Sequence, residues 1–268
     1  MIKISRLLHK NRLVIDLFII INLSFLSVDI FFAHSVNDFS KKIEFLPLYF
    51  SLISSFFLGL ELLINLKKQQ NNRLVSIIIG CSSIIIGIMG VYYHLHNSFF
   101  KLFTLKSLVY TAPFIAPLAY TGLGLLIIIN SKVPPNSTKW SKGLILLGLG
   151  GFIGNYILSV CDHAQNGFFI FYEWIPVISS SIAVGFLSIV LIKKHSMKLI
   201  NISILVMIIQ IFIGLLGFYF HISAILSSDI SDIFEKIIYN APIFAPLLFV
   251  NLGLLSIIGL LDFKLKIN

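Results

Sequence analysis

Eight apolar runs, each of roughly 20 residues, divide the chain and decide what it can fold into. They are rich in Ile, Leu and Phe and lack the alternating polarity of membrane β-strands. In lipid, only helices or closed barrels satisfy every backbone polar group. The sequence therefore predicts an all-α integral membrane protein with eight transmembrane helices, at about residues 13–33, 46–65, 74–95, 109–130, 143–162, 174–192, 199–221 and 238–261.

Composition and charge agree with a chain whose solvent is lipid. The 268 residues are 57% hydrophobic and 12% charged, whereas soluble domains carry about 25% charged residues. The net charge of +9 would suit nucleic acid, but eight spans place fifteen of the twenty Lys and Arg residues on one side of the membrane. These are Lys3, Arg6, Lys10, Arg12, Lys67, Lys68, Arg73, Lys132, Lys139, Lys142, Lys193, Lys194, Lys198, Lys264 and Lys266.

This asymmetry predicts the orientation of the chain. Positive loops stay in the cytoplasm, so we expect both termini to be cytoplasmic and the protein to lie in a bacterial inner membrane. The basic balance is then a signal of topology, and the expected partner is the lipid bilayer rather than nucleic acid.

An internal repeat organises the spans. The stretch Tyr-Thr-Ala-Pro-Phe-Ile-Ala-Pro at residues 110–117 returns 129 residues later as Tyr-Asn-Ala-Pro-Ile-Phe-Ala-Pro at residues 239–246. The third and seventh spans end with the same pattern, Gly-x-x-Gly-x-Tyr-x-His, at residues 87–94 and 214–221. Glycines one turn apart predict close helix packing.

Two further matches extend the repeat over the first and second spans of each half. Glu44 and Glu173 each precede a proline by three residues, at an offset of 129, and Asp29 and Asp162 end the first and fifth spans, at an offset of 133. The sequence thus predicts two tandem four-helix repeats, residues 1–133 and 134–268. An even number of spans per repeat preserves orientation, which predicts a pseudo-twofold axis along the membrane normal.

Six of the eight prolines fall where the even-numbered spans begin. Proline is tolerated in the first turn of a helix, where its missing N–H costs little. Pro117 and Pro246 lie a turn deeper, and we expect them to bend the fourth and eighth helices.

Matched ionisable residues define a candidate site at the outer ends of the spans. Four carboxylates and two imidazoles are the inventory of di-iron and di-manganese centres in helical bundles, and such oxygen and nitrogen ligands suit Fe, Mn or Zn. In this hypothesis the glutamates bridge two metal ions, the histidines are terminal ligands, and the aspartates complete or orient the shell. The six residues are Asp29, Glu44, His94, Asp162, Glu173 and His221.

Neighbouring side chains could support such a site. His34, His96 and His163 lie on the same side as further ligands or supporting groups, and the matched Tyr110 and Tyr239 are candidate catalytic residues that hydrogen-bond the carboxylates or relay protons and electrons. The alternatives are structural. Charged residues at helix ends are commonly solvated, and tyrosines commonly form the aromatic belt of a membrane interface.

Missing motifs exclude several functions. A phosphate-cradling loop, His-Glu-x-x-His, Gly-x-Ser-x-Gly and Cys-x-x-Cys are all absent, so no nucleotide cofactor is expected. The leading hypothesis is a membrane protein with an outward-facing Asp/Glu/His cluster, built as a metal centre for redox or hydrolytic work. Its alternatives are a secondary transporter or channel made of tandem repeats, and a structural subunit of a membrane complex. The sequence leaves open whether the protein is an enzyme, which small molecule or ion it binds, and its oligomeric state.

Overall fold

The computed structural model describes residues 2–193 and 196–267, with side chains from Asn11 onward. Lys194 and the side chains of Lys3, Arg6 and Lys10, which entered the predicted orientation, lie outside this description. Most of the described residues are helical, and none of them forms a strand. The helices are α1 (Ile2–Ser35), α2 (Phe45–Lys68), α3 (Leu74–His96), α4 (Leu105–Val109), α5 (Leu118–Lys132), α6 (Thr138–Gln165), α7 (Trp174–Ile192), α8 (Met197–Leu226), α9 (Ile233–Tyr239) and α10 (Leu247–Ile267).

Seven of these helices are long and apolar enough to cross a membrane, namely α1, α2, α3, α6, α7, α8 and α10. Their outer surfaces carry large apolar side chains that solvent would reach, such as Ile21 at 64% exposure and Phe56 at 61%. Soluble proteins rarely expose contiguous apolar surface on this scale. The chain is therefore a polytopic helical membrane protein that lies in a lipid bilayer.

The fourth predicted span is interrupted. Helix α5 has only 15 residues, or about 22 Å, which is less than the roughly 30 Å of a bilayer core. A non-helical turn over residues 110–117 precedes it, and a turn over residues 240–246 precedes α10 in the same way. The expected bends at Pro117 and Pro246 are therefore wrong: these prolines lie just before α5 and α10, where the ring favours a helix start.

Contacts between helix ends show that α5 nevertheless runs through the molecule. At one end, the turn that precedes α5 contacts the end of α3, where the His94 side chain bonds to the Pro113 carbonyl oxygen. At the other end the Asn130 side chain donates to Asp16 Oδ1 at 2.7 Å, and Asp16 pairs with Arg73 at 2.8 Å. We name the side that holds Asp16, the start of α1 and the end of α10 the terminal face, and the opposite side the far face.

Glycines bring two pairs of helices into backbone contact. A Cβ added to Gly124 in α5 would lie 2.5 Å from the carbonyl oxygen of Gly80 in α3. In the second half, a Cβ added to Gly253 in α10 would lie 3.0 Å from the carbonyl oxygen of Met207 in α8. Small residues allow membrane helices to pack this closely, so α3 with α5 and α8 with α10 form the tight pairs that support the far face.

Gly124→Ala tests this packing, and Gly122→Ala is its matched control in the same helix, because a Cβ there meets nothing within 4 Å. We expect Gly124→Ala to destabilise the protein by about 1–3 kcal/mol, the usual cost of overpacking, and Gly122→Ala to leave the thermal midpoint unchanged or slightly raised. Thermal unfolding of the purified protein in detergent measures both. Equal midpoints for the two variants would contradict the close contact.

Candidate functional site

Six ionisable side chains at the far face form two separate groups, one in each half. Site 1 consists of His34 at the end of α1, Glu44 before α2 and His94 at the end of α3. Site 2 consists of the residues at corresponding places in the second half: His163, Glu173 and His221. Four of the six predicted metal ligands therefore belong to these sites, together with two of the three supporting histidines; the third, His96, does not.

Site 1 is acceptor-rich. His34 Nδ1 lies 3.6 Å from Glu44 Oε2, and the rings of His34 and His94 are 6.2 Å apart. The other glutamate oxygen, Oε1, accepts from the Asn37 amide at 3.3 Å and from the Ser40 hydroxyl at 3.4 Å. Glu44 Oε2 is buried and accepts no hydrogen bond from the described residues.

One imidazole in each half is anchored on a proline carbonyl. His94 Nδ1 donates to the Pro113 oxygen at 2.9 Å, and His221 Nδ1 donates to the Pro242 oxygen at 2.7 Å. A carbonyl oxygen only accepts, so the ring nitrogen must carry the proton in both bonds. In the neutral ring this leaves Nε2 with a free lone pair. Each site therefore presents an imidazole nitrogen ready to accept a proton or a cation.

Site 2 repeats the local geometry of site 1. The loop after His163 returns its Phe168 N–H to the His163 carbonyl at 3.1 Å, as Phe39 N–H returns to His34 at 3.1 Å. Phe168 then stacks on Trp174 at 4.2 Å, as Phe39 stacks on Phe45 at 4.4 Å. These stacks place the glutamate before each following helix next to the preceding histidine.

Glu173 has fewer partners than Glu44. Its Oε2 is buried without a hydrogen bond, and none of the described residues donates to its other oxygen. The position that Ser40 occupies in site 1 is taken by Phe169 at an offset of 129, and a phenyl ring cannot donate. His163 interacts electrostatically with both Glu173 and His221. The carboxylate of site 2 therefore accepts fewer hydrogen bonds than the carboxylate of site 1.

Asp29 and Asp162 do not join these groups. The matched loops are offset by 129 residues and the aspartates by 133, about one helical turn more. Asp29 lies five residues before His34, whereas Asp162 lies immediately before His163, so the two carboxylates lie about one turn apart in depth relative to their sites. Within the described part of the chain neither forms a hydrogen bond or an ion pair.

The predicted shared metal centre is not supported by this arrangement. Its residues Asp29, Glu44, His94, Asp162, Glu173 and His221 are divided between two sites and two unmatched aspartates. In the part of the chain that the structure describes, no three His, Cys, Asp or Glu side chains lie close enough to hold a metal ion. The physical reason is that each half closes its own histidine onto its own proline turn.

Tyr110 and Tyr239 lie at the surface of the far face. They are 59% and 58% exposed, and neither hydroxyl bonds a carboxylate among the described residues. The predicted hydrogen bonds to the glutamates or aspartates are thus not formed. Their exposure fits the interfacial belt that was the structural alternative.

Tyr120 is a buried polar group that the sequence did not single out. It is 3% exposed, its hydroxyl donates to the Pro47 carbonyl at 2.7 Å, and it also meets the Ser51 hydroxyl. The second half has Phe249 at the corresponding position, and there Ser180 donates to the Pro176 carbonyl instead. Because Tyr120 is not shared by the two halves, the repeat did not indicate it. The available signal was its position three residues after Pro117, on the side of α5 that faces α2.

No known family, curated protein sequence or solved structure matches this chain.

The anchored imidazoles make a spectroscopic prediction. We expect neutral His94 and His221 to carry their proton on Nδ1, because each Nδ1 donates to a carbonyl oxygen. Nitrogen-15 NMR of histidine-labelled protein in lipid distinguishes the two tautomers, and loss of signals in His94→Asn and His221→Asn assigns them. His96, which is exposed, is the control, since free imidazole favours the other tautomer. Protons on Nε2 of His94 and His221 would contradict the anchoring.

Proposed function

We propose that the protein binds a cation at two Glu–His sites, one in each half of an eight-helix membrane bundle. The observation that supports this proposal most directly is that each site has more hydrogen-bond acceptors than donors. Glu44 Oε2 and Glu173 Oε2 are buried without a hydrogen-bond donor, and each lies in a site whose anchored histidine has a free Nε2. Glu44 Oε2 lies 3.6 Å from His34 Nδ1, and a proton or a cation between such a pair relieves the cost of burying the carboxylate oxygen.

Reciprocal contacts support the finer architecture of two repeats around a pseudo-twofold axis. Helix α6 of the second half lies beside α4 of the first, and α1 of the first half lies beside α9 of the second. Together α4, its turn and α5 supply the eighth crossing. The basic residues of the terminal face support its orientation toward the cytoplasm of a bacterial cell.

A proton is the cation that this geometry suits best. Metal sites of N and O ligands need three or four groups around one ion, whereas each site offers one carboxylate and imidazole nitrogens that are not gathered around one point. A proton needs only two acceptors, such as Glu44 Oε2 and His34 Nδ1, which are 3.6 Å apart. Bound Fe, Mn or Zn remains the rival proposal, in which the sites close around the ion.

Infrared spectroscopy tests proton binding. We expect a pH-dependent carboxyl C=O band, at lower frequency from Glu44, whose Oε1 accepts two hydrogen bonds, than from Glu173. Glu44→Gln and Glu173→Gln should each remove part of it, and the double variant all of it. Glu235→Gln, which changes an exposed glutamate of the same face, should leave the band intact. Absence of the band, or retention of about two Fe, Mn or Zn ions per chain that the double variant loses, would contradict the proton version.

A second candidate, a secondary transporter or channel, is favoured by the interrupted helices. Transporters bind their ions at breaks in membrane helices, and the carbonyls of Pro113 and Pro242 that anchor the histidines belong to such breaks. In this version the protons taken up by the two sites cross the membrane.

Flux measurements separate transport from binding alone. If the protein moves protons, proteoliposomes that hold a pH indicator should dissipate an imposed pH gradient faster than empty vesicles, and the double variant Glu44→Gln with Glu173→Gln should abolish the difference. The Glu235→Gln variant should conduct as the original protein does. A gradient that persists in the presence of the intact protein rules out proton flux and leaves a binding protein.

A further inference from the structure

The loop between α6 and α7 (residues 166–173) has the same backbone as the loop between α1 and α2 (residues 36–44). In both loops, the N–H of a phenylalanine returns to the carbonyl of the histidine five residues earlier, at 3.1 Å. These two phenylalanines, Phe39 and Phe168, have positive φ values of 50° and 51°. Each loop then closes with the glutamate N–H donating to the residue three positions back, at 3.0 Å. The two loops therefore form the same local structure from different sequences.

Three successive side chains differ between these loops. When Phe39 is matched to Phe168, the sequence Ser-Lys-Lys at residues 40–42 corresponds to Phe-Ile-Phe at residues 169–171. The polar version closes with the same backbone hydrogen bonds as the apolar version, so the loop does not require apolar side chains at these positions. The Phe-Ile-Phe segment therefore has a role other than forming the loop.

The Phe-Ile-Phe segment projects from the far face. Phe169 is 88% exposed and Phe171 is 79% exposed, and Ile170 between them is also exposed. Residues 164–172 contain no Asp, Glu, Lys or Arg. Moving apolar surface out of water is favourable in proportion to its area, and contiguous exposed apolar surface marks contacts with membranes or proteins. The segment therefore fits an apolar surface outside the chain.

The apolar surface around the segment continues along the side of the bundle that faces lipid. Tyr172, which follows the segment, stacks on Phe220 of α8 at 5.7 Å and is itself exposed. Next along the chain, Trp174 and Ile178 of α7 are exposed on a helix that is long and apolar enough to cross a membrane. The segment is thus the outermost part of the surface that α7 and α8 present to lipid.

The size of the segment argues against a stable protein partner. A buried aromatic side chain removes roughly 150–250 Å² from water, so the two rings together remove about 300–500 Å². Stable protein interfaces bury roughly 800 Å² on each partner. A lipid leaflet sets no such minimum, because each apolar group that enters it gains free energy separately.

We propose that the Phe-Ile-Phe segment is an interfacial anchor that inserts into the lipid leaflet at the far face. Interfacial apolar groups reach roughly 5–10 Å into the boundary between head groups and acyl chains, where aromatic side chains are enriched. Lys41 and Lys42 of the matched loop keep their charges among the head groups, as long basic side chains do. The anchor ties the far end of the second half to the leaflet and does not depend on proton binding at the Glu–His sites.

Matched spin labels measure insertion at the two loops. Cys81 and Cys161 are first replaced by serine, and a nitroxide is then attached after Ile170→Cys in one sample and after Lys41→Cys in the other. Both proteins are reconstituted in phosphatidylcholine vesicles, where oxygen concentrates among the acyl chains and a nickel chelate stays in water. We expect the ratio of oxygen accessibility to nickel accessibility to be several-fold higher at position 170 than at position 41.

A second variant tests whether the rings cause the insertion. Phe169→Ser with Phe171→Lys gives the loop the side chains of its counterpart, and we expect the ratio at position 170 to fall to the value measured at position 41. Phe103→Ser, which changes an exposed phenylalanine in the loop before α4, is the control and should leave the ratio unchanged. Substitutions at such exposed positions usually change stability little, so the thermal midpoint of each variant should stay near that of the original protein.

Three results would overturn the proposal. Equal ratios at positions 170 and 41 would place both loops in the same aqueous surroundings. A label at position 170 that neither oxygen nor the nickel chelate reaches would show that a protein, such as a second copy of this chain, covers the segment. An unchanged ratio in the double variant would show that the rings do not insert the loop. If the double variant fails to fold, the comparison of positions 170 and 41 remains a complete test.

Discussion

Backbone groups without partners inside a membrane are the constraint on which this structure depends. Two helices are interrupted by Ala-Pro-x-x-Ala-Pro turns, and lipid offers no donor to the carbonyls that such turns release; an unsatisfied group there costs several kcal/mol. His94 and His221 each donate a hydrogen bond to these turns, at the Pro113 and Pro242 carbonyls, which also accept the Ala116 and Ala245 N–H groups. The same bonds fix the imidazole tautomer, so that a structural requirement of the turn creates a free acceptor in each site.

The two halves share the hydrogen bonds that satisfy backbone groups, and they differ in the side chains that fill space. Both close a histidine onto a proline carbonyl, and both return a phenylalanine N–H to the preceding histidine. They differ at Tyr120 and Phe249 in the core, and at Ser40 and Phe169 beside the glutamates. The differences leave the Glu44 carboxylate with two hydrogen-bond donors and the Glu173 carboxylate with none among the described residues.

Much of the fold follows from the sequence, because lipid restricts the choices. Apolar runs predicted the membrane helices, and the repeat placed Glu44, His94, Glu173 and His221 at one face. The starts of α5 and α10 could not be read from hydropathy, which is the same on both sides of Pro117 and Pro246. The pairing of Asp29 with Asp162 failed for a related reason: apolar helices tolerate a shift of one turn, and only the loops after them fix the register.

The remaining site residues depend on tertiary contacts. Tyr120 matters because α2 lies across from it. This relation has no signature within the segment that contains Tyr120. The repeat led to the expectation that symmetric residues at one face meet at the axis, whereas the described contacts join His34 to Glu44 in one half and His163 to Glu173 in the other.

The central claim is that the far face holds two separate Glu–His sites, each anchored on its own proline turn. A cryo-electron microscopy map of the protein in a lipid nanodisc tests it most directly. The prediction is two resolved imidazoles, each with Nδ1 within hydrogen-bond distance of the carbonyl of Pro113 or Pro242, and no density that joins Glu44 to Glu173. One shared density peak bridged by both glutamates, at ligand distances of roughly 2 Å, would contradict it.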